Sequence, residues 1–218
     1  MRPSDPAYAS FKRSISNHKM TIEQDNDVFR CIYFGAPGDS NQSFRLVTWP
    51  GCLAISGDMG DVIFSRHRDM FTFFRASHWR DHIPLEYWSE KLQSINRRPS
   101  DLANEFCDKL AKSHVVSDFR QVYPRGTPNR MDIWQDIRCE LLSEDFMSED
   151  NALHAVMNFR DRNGEYPFED FYEHDLTEPT YRFKWLCLAI RWGIWKYDLA
   201  RANRTQADHD RSVLKSAA

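Results

Sequence analysis

Asp132, Asp136, Glu140 and Glu144 recur at every fourth position, a spacing that stacks four carboxylates along one face of a helix. Like charges at that interval repel and cost an isolated helix roughly 0.2–0.5 kcal/mol per pair. Two explanations fit. The row is either a solvated face, partly compensated by Arg138 and the basic last helix, or an anionic surface that steers and selects a basic partner, in the manner of a nucleic-acid mimic. The row belongs to a wider segregation of charge. From Asp132 to Glu178 fourteen acids stand against Arg138, Arg160 and Arg162, a net of −11, whereas Pro179–Ala218 carries +5 and the first 131 residues +3.

A second grouping is Gly57-Asp58-Met59-Gly60-Asp61, followed by Arg66, His67 and Asp69. Asp58, Asp61 and His67 could hold a divalent ion or share acid–base work, with the glycines letting the backbone approach a ligand. The same residues are what a hairpin turn demands, so the turn is the first reading and catalysis the second. His78 and His82 stand four apart and could offer two imidazoles to one metal. No Glu follows His78 as H-E-x-x-H requires, Pro84 places the pair in a loop, and no third ligand can be named. No G-x-S-x-G is present, and Cys52, behind the Pro50-Gly51 turn, reads as a packed strand residue. No cofactor is implied.

These groups must be carried by regular elements, and the chain supplies two kinds. Short apolar runs at Val28–Tyr33, Phe44–Trp49, Leu53–Ser56 and Val62–Ser65, separated by Gly35–Asp39, Pro50-Gly51 and Gly57–Asp61, predict an antiparallel meander. Downstream the period becomes helical: Met70–Phe74, then Leu85 to Ile95 after Pro84, then Asp101 to His114 capped by Ser100. A connection is expected over Val115–Pro128. Beyond it come a helix after Asn129 with Met131, Trp134, Ile137 and Leu141 inward, one after the cap Ser148 through Phe159, and a short one within Phe168–Leu176. Thr177-Glu-Pro179 reads as the start of a last long helix to about Arg201, apolar on both sides and therefore central. The expected class is α+β, an N-terminal antiparallel sheet packed against a larger C-terminal helical region. Residues 1–21 are expected as a flexible lead-in, 22–202 as one domain (sheet about 28–66, helices about 68–202) and 203–218 as a polar tail.

The 218 residues are 41% hydrophobic and 14% aromatic with a formal charge of −3, enough for a packed core and unsuited to coating nucleic acid or anionic membrane. Five widely spaced cysteines fit neither a disulfide framework nor a zinc finger, and no segment reads as a signal peptide or membrane span. A soluble, cytoplasmic location is expected.

The stretch from Phe44 to Arg75 holds Thr48-Trp49-Pro50-Gly51, Gly57-Asp58-Met59-Gly60 and Asp69-Met70-Phe71 with Phe73-Phe74-Arg75. In these motifs it resembles a family of largely uncharacterised proteins encoded by bacteriophages and prophages. The resemblance implies a phage origin and transfers no catalytic residue. Together with the acidic row it leads us to expect a non-enzymatic binding protein that inhibits a bacterial defence system or host factor. A basic host or defence protein would be its partner, with no direct nucleic acid, no membrane and room for a homo-oligomer. The competing expectations are a metal-dependent hydrolase of nucleic acid or a nucleotide signal, centred on Asp58, Asp61 and His67, and a sponge that sequesters a nucleotide.

Overall fold

The structure is a computed structural model that describes residues 1–93, 103–143 and 145–216, with side chains as far as residue 202. The class is α+β: an N-terminal antiparallel sheet of six strands, followed by a larger helical region. The strands are β1 Lys19–Asn26, β2 Phe29–Ala36, β3 Asp39–Trp49, β4 Cys52–Gly57, β5 Val62–Ser65 and β6 Leu92–Gln93, hydrogen-bonded in chain order. Sequential order follows from the turns. Pro37-Gly38 and Pro50-Gly51 each preset one φ with proline and give the next, positive one (75° and 86°) to glycine. Gly57 has a different reason: a Cβ there would lie 2.2 Å from the Ser43 carbonyl oxygen of the neighbouring strand.

Alternation puts Ile32, Phe34, Phe44, Leu46, Leu53, Ile55, Val62 and Phe64 on one buried face. That face is covered by the long helix α7. The helices in chain order are α1 Pro6–Ser14, α2 Met70–Phe74, α3 Leu85–Ser89, α4 Asp108–Val122, α5 Arg130–Glu140, α6 Glu149–Met157 and α7 Tyr181–Ser216. From Trp185 to Ile194 every α7 residue except Gly193 is a buried side chain, so its all-round apolar pattern does mark a central helix. Trp185 meets Phe44 edge-on at 5.6 Å and Trp192 lies 5.4 Å from Phe34. Gly193 permits this approach, since an added Cβ would stand 2.8 Å from Leu46 Cδ1 and 3.1 Å from Phe34 Cζ. Gly193→Ala is therefore expected to lower stability by about 1 kcal/mol, overpacking outweighing the gain in helix propensity. A lower thermal midpoint checks this; a higher one would mean that Leu46 turns aside.

Several expectations need correction. The lead-in expected over residues 1–21 is α1 and the start of β1. Asp5 caps α1 through the Ala7 N–H at 2.9 Å, Pro6 occupies its first turn, and Tyr8, Phe11 and Ile15 are buried, Phe11 completely. β1 hides in the sequence because it is an edge strand whose only apolar residues, Met20 and Ile22, pack on the core, and a bulge between Ile22 and Gln24 breaks its alternation. The helix expected over Leu85–Ile95 stops at Ser89, and Leu92–Gln93 pairs with β5 instead; Ile95 lies outside the described residues. So do Ser100 and Leu102, from which a helix was expected to run through Phe106. Asn104–Phe106 (β7) instead pairs with Thr177–Pro179 (β8), and α4 runs on to Val122 through the expected connection. Its buried stripe is Ala111, Val115 and Phe119. In α5 Ile133 takes the inward place given to Met131, which is 69% exposed. The last helix starts later than expected, capped by Thr180 Oγ1 on the Phe183 N–H at 3.0 Å, and continues to Ser216 past the expected tail.

Where one domain was expected, the chain forms two compact units, Met1–Ala103 with Pro179–Ala218, and Asn104–Glu178. Each has its own apolar cluster, the second built from α4, α5, α6 and the Phe168–Leu176 segment, which holds a single 3-10 turn at Phe171–Glu173. Among the described residues no helix is long and apolar enough to cross a membrane.

Candidate acidic binding surface

The charge segregation coincides with these units. Asn104–Glu178 carries seventeen carboxylates and eight lysines and arginines, a net of −9, which leaves +6 on the rest of the chain. Three residues of the predicted row lie on α5, Asp132 and Glu140 exposed and Asp136 half-buried. One half of it is neutralised. Arg162 grips Asp136 with two bonds, Nε to Oδ2 at 2.6 Å and Nη2 to Oδ1 at 2.9 Å, and stands 3.6 Å from Asp132. The hydrogen bonds from Arg162 hold the Asp136 carboxyl below its usual range. Glu140 has no cation partner among the described residues, and Glu144 lies outside them.

Arg162 is aimed at the row by a loop organised on Asp161, a residue that sequence reasoning passed over. Its carboxylate accepts the N–H of Asn163 at 2.8 Å, the N–H of Glu165 at 3.0 Å and the hydroxyl of Tyr123 at 2.9 Å. Gly164, at φ 82°, closes the turn. Burial pushes this carboxyl up, but the N–H groups of Glu165 and Asn163 and the Tyr123 hydroxyl outweigh it and hold it below the usual value. Tyr123 moves the other way: burial and the neighbouring Asp161 charge push its hydroxyl up.

The same unit contains a groove of about 510 Å³ between α4 and residues 166–174. Val122, 45% exposed, with Tyr166 and the half-buried Pro167 supplies its accessible apolar surface, while Phe168 and Phe171, also lining residues, belong to the buried core. Asp118, Glu169, Asp170 and Glu173 supply four carboxylates, and no lysine or arginine lines it. His174 Nε2 meets Asp118 Oδ2 at 2.8 Å and stacks on His114 at 4.2 Å between ring centres. Glu169, Asp170 and Glu173 have no cation partner among the described residues. The signal was in the sequence, since Tyr-Pro-Phe-Glu-Asp-Phe-Tyr-Glu over 166–173 interleaves aromatics with acids.

The other predicted sites are dispersed. Asp58 Oδ2 accepts the Gln42 N–H at 2.9 Å and Asp61 Oδ1 the Gly57 N–H at 3.2 Å, so both carboxylates tie the β4–β5 turn and its neighbour together. His67 follows β5, its N–H on Met70 Sδ at 3.2 Å and its ring against Phe73; no contact joins it to either aspartate. His78 and His82 sit in a non-helical turn, so the four-residue interval does not place them on one face. The Nδ1 atom of His78 already accepts the Arg80 N–H at 3.1 Å. Among the described residues no group of three or more His, Cys, Asp or Glu side chains could hold a metal ion.

The motif residues of the resemblance serve the fold. Asp69 caps α2 through the Phe71 N–H at 3.0 Å and binds Arg30 with two bonds at 2.9 and 3.0 Å. Met70, Phe71 and Phe74 are fully buried, and Arg75 pairs with Asp198 of α7 at 2.8 Å. Thr48 donates its hydroxyl to the Val28 carbonyl at 2.7 Å. Compared with protein-family models, curated proteins and solved structures, the chain finds no match.

Proposed function

We propose that the chain is a non-enzymatic binding protein in which Asn104–Glu178 forms an acidic surface for a basic partner, carried on a sheet-and-helix unit of opposite charge. The observation that carries this reading is the coincidence of charge with structural unit, −9 on one and +6 on the other. Charge scattered for solubility alone has no reason to follow the boundary between two cores. An acidic field speeds encounter with a basic surface and disfavours acidic competitors. The T-W-P-G, G-D-M-G and D-M-F-x-F-F-R motifs add the rest of the proposal: a phage origin, with a defence or host factor as the target in the bacterial cytoplasm.

The reading is tested by passing bacterial host lysate over immobilised protein at roughly 0.05 and 0.5 M salt, where the screening length shrinks about threefold. A basic protein should be retained at low salt and released at high salt. A variant with Glu140, Glu149, Glu169 and Glu173 changed to lysine should retain at least tenfold less of it. Equal retention by the variant contradicts the proposal.

A further inference from the structure

The geometry points to the groove between α4 and residues 166–174 as the docking site for an extended basic segment of the partner. One lysine or arginine side chain lies against Val122 and Tyr166, and its cationic head sits among the rim carboxylates. This inference rests on the acidic-surface reading and gives it a location.

Shape sets the first condition. About 510 Å³ accepts one or two long side chains of an extended strand and not a folded domain. Chemistry sets the second. The apolar surface offered to a ligand comes from Val122, 45% exposed, with Tyr166 and Pro167. Such a surface suits the methylene stem of a lysine or arginine, which packs on hydrocarbon while its head stays hydrated. Charge sets the third. Asp118, Glu169, Asp170 and Glu173 ring the groove, and the only basic group lining it is His174, already bonded to Asp118. An acidic or apolar segment would leave three exposed carboxylates uncompensated at the contact, whereas a cation answers them. The contrast with α5 is informative. There Arg162, a residue of the chain itself, already takes the place a partner's cation would take against Asp136 and Asp132.

The test uses the full-length chain and a blocked octapeptide alternating arginine and leucine, with affinity read by calorimetry at low salt. Two double variants carry the same change of charge: Glu169→Lys with Glu173→Lys at the groove, and Glu140→Lys with Glu149→Lys away from it. All four positions are exposed, and retained secondary structure is checked by circular dichroism. The groove variant is expected to lose at least tenfold in affinity and the distant variant less than about threefold. Val122→Ser, which alters no charge, is expected to lose about threefold through the lost apolar contact. Equal losses in the two double variants, or a loss confined to the distant one, overturn the groove as the site and leave the acidic-surface reading standing. Unchanged affinity in Val122→Ser overturns the apolar contact. Failure of the unaltered protein to bind the peptide overturns both.

Discussion

Replacing Asp161 by alanine is expected to destabilise the Asn104–Glu178 unit by about 3 kcal/mol, the combined worth of two or three hydrogen bonds to a charged acceptor in a buried setting. The carboxylate is 9% exposed and holds the N–H groups of Asn163 and Glu165 together with the Tyr123 hydroxyl. Removing it leaves those donors without their acceptor and frees the turn that directs Arg162 to Asp136. Hydrogen exchange read by mass spectrometry separates the units. Peptides from 119–123 and 159–168 should lose protection, while those from β2 to β4 keep it. Equal protection in variant and parent would show that the loop does not depend on this side chain.

The same residue fixes a pH dependence. An unfolded aspartate titrates near 3.9, and the folded carboxyl is held below that. The deprotonated form is therefore favoured in the folded state. Its contribution to stability is complete above about pH 4 and is lost as pH falls through the folded value. Acid should loosen this unit more in the parent protein than in Asp161→Ala, where Asp136 and Asp145, also held below their usual range, still respond.

Arg30→Met is expected to cost the sheet-bearing unit about 3 kcal/mol, whereas Arg191→Met is expected to be neutral or to stabilise it by up to about 2 kcal/mol. Both arginines are buried, 8% and 5% exposed, so the difference lies in their partners. Arg30 makes the two-bond pair with Asp69 and lies 4.6 Å over the Phe71 ring. Burial raises the Asp69 carboxyl, but Arg30 and the Phe71 N–H outweigh it and hold it low. Losing Arg30 strands that charge at the α2 cap. Arg191 has Nε and Nη1 buried without hydrogen-bond partners, and its charge is offset only at longer range, by the Trp88 ring 5.1 Å away and by Tyr8 and Asp81. Burial lowers its pKa in consequence. Methionine keeps the packing there and removes the desolvated charge. Denaturant midpoints of the two variants check the contrast, and equal losses would contradict it.

The parts of the fold legible in the sequence were those in which local and tertiary forces agree. The β3–β5 hairpins carry Pro-Gly or Gly-Asp turns between alternating apolar residues, and α2, α5 and α6 have a cap or a clear apolar stripe. β1 was missed because only Met20 and Ile22 of its eight residues are apolar and a bulge breaks their alternation, and α1 because proline and serine hid a cap followed by Tyr8, Phe11 and Ile15. β6 and β7 are two- and three-residue strands whose pairing is set by distant partners, β5 and β8. Helical periodicity read through such residues necessarily runs too far. The second core was not legible because Phe159, Phe168 and Phe171 show burial, not which cluster buries them.

At the candidate site the acidic row on α5 was legible from its four-residue spacing. Its neutralisation by Arg162 was not, since the pair closes across 26 residues of chain. The groove was missed because Asp118 of α4 and Glu169, Asp170 and Glu173 come to line one space only in the fold.

The most direct test of the acidic-surface account is a salt titration of the intact chain against the arginine–leucine octapeptide, from roughly 0.05 to 0.5 M salt. The account predicts measurable association at the low end that weakens steadily as salt rises. An affinity independent of salt, or none at the low end, would contradict it.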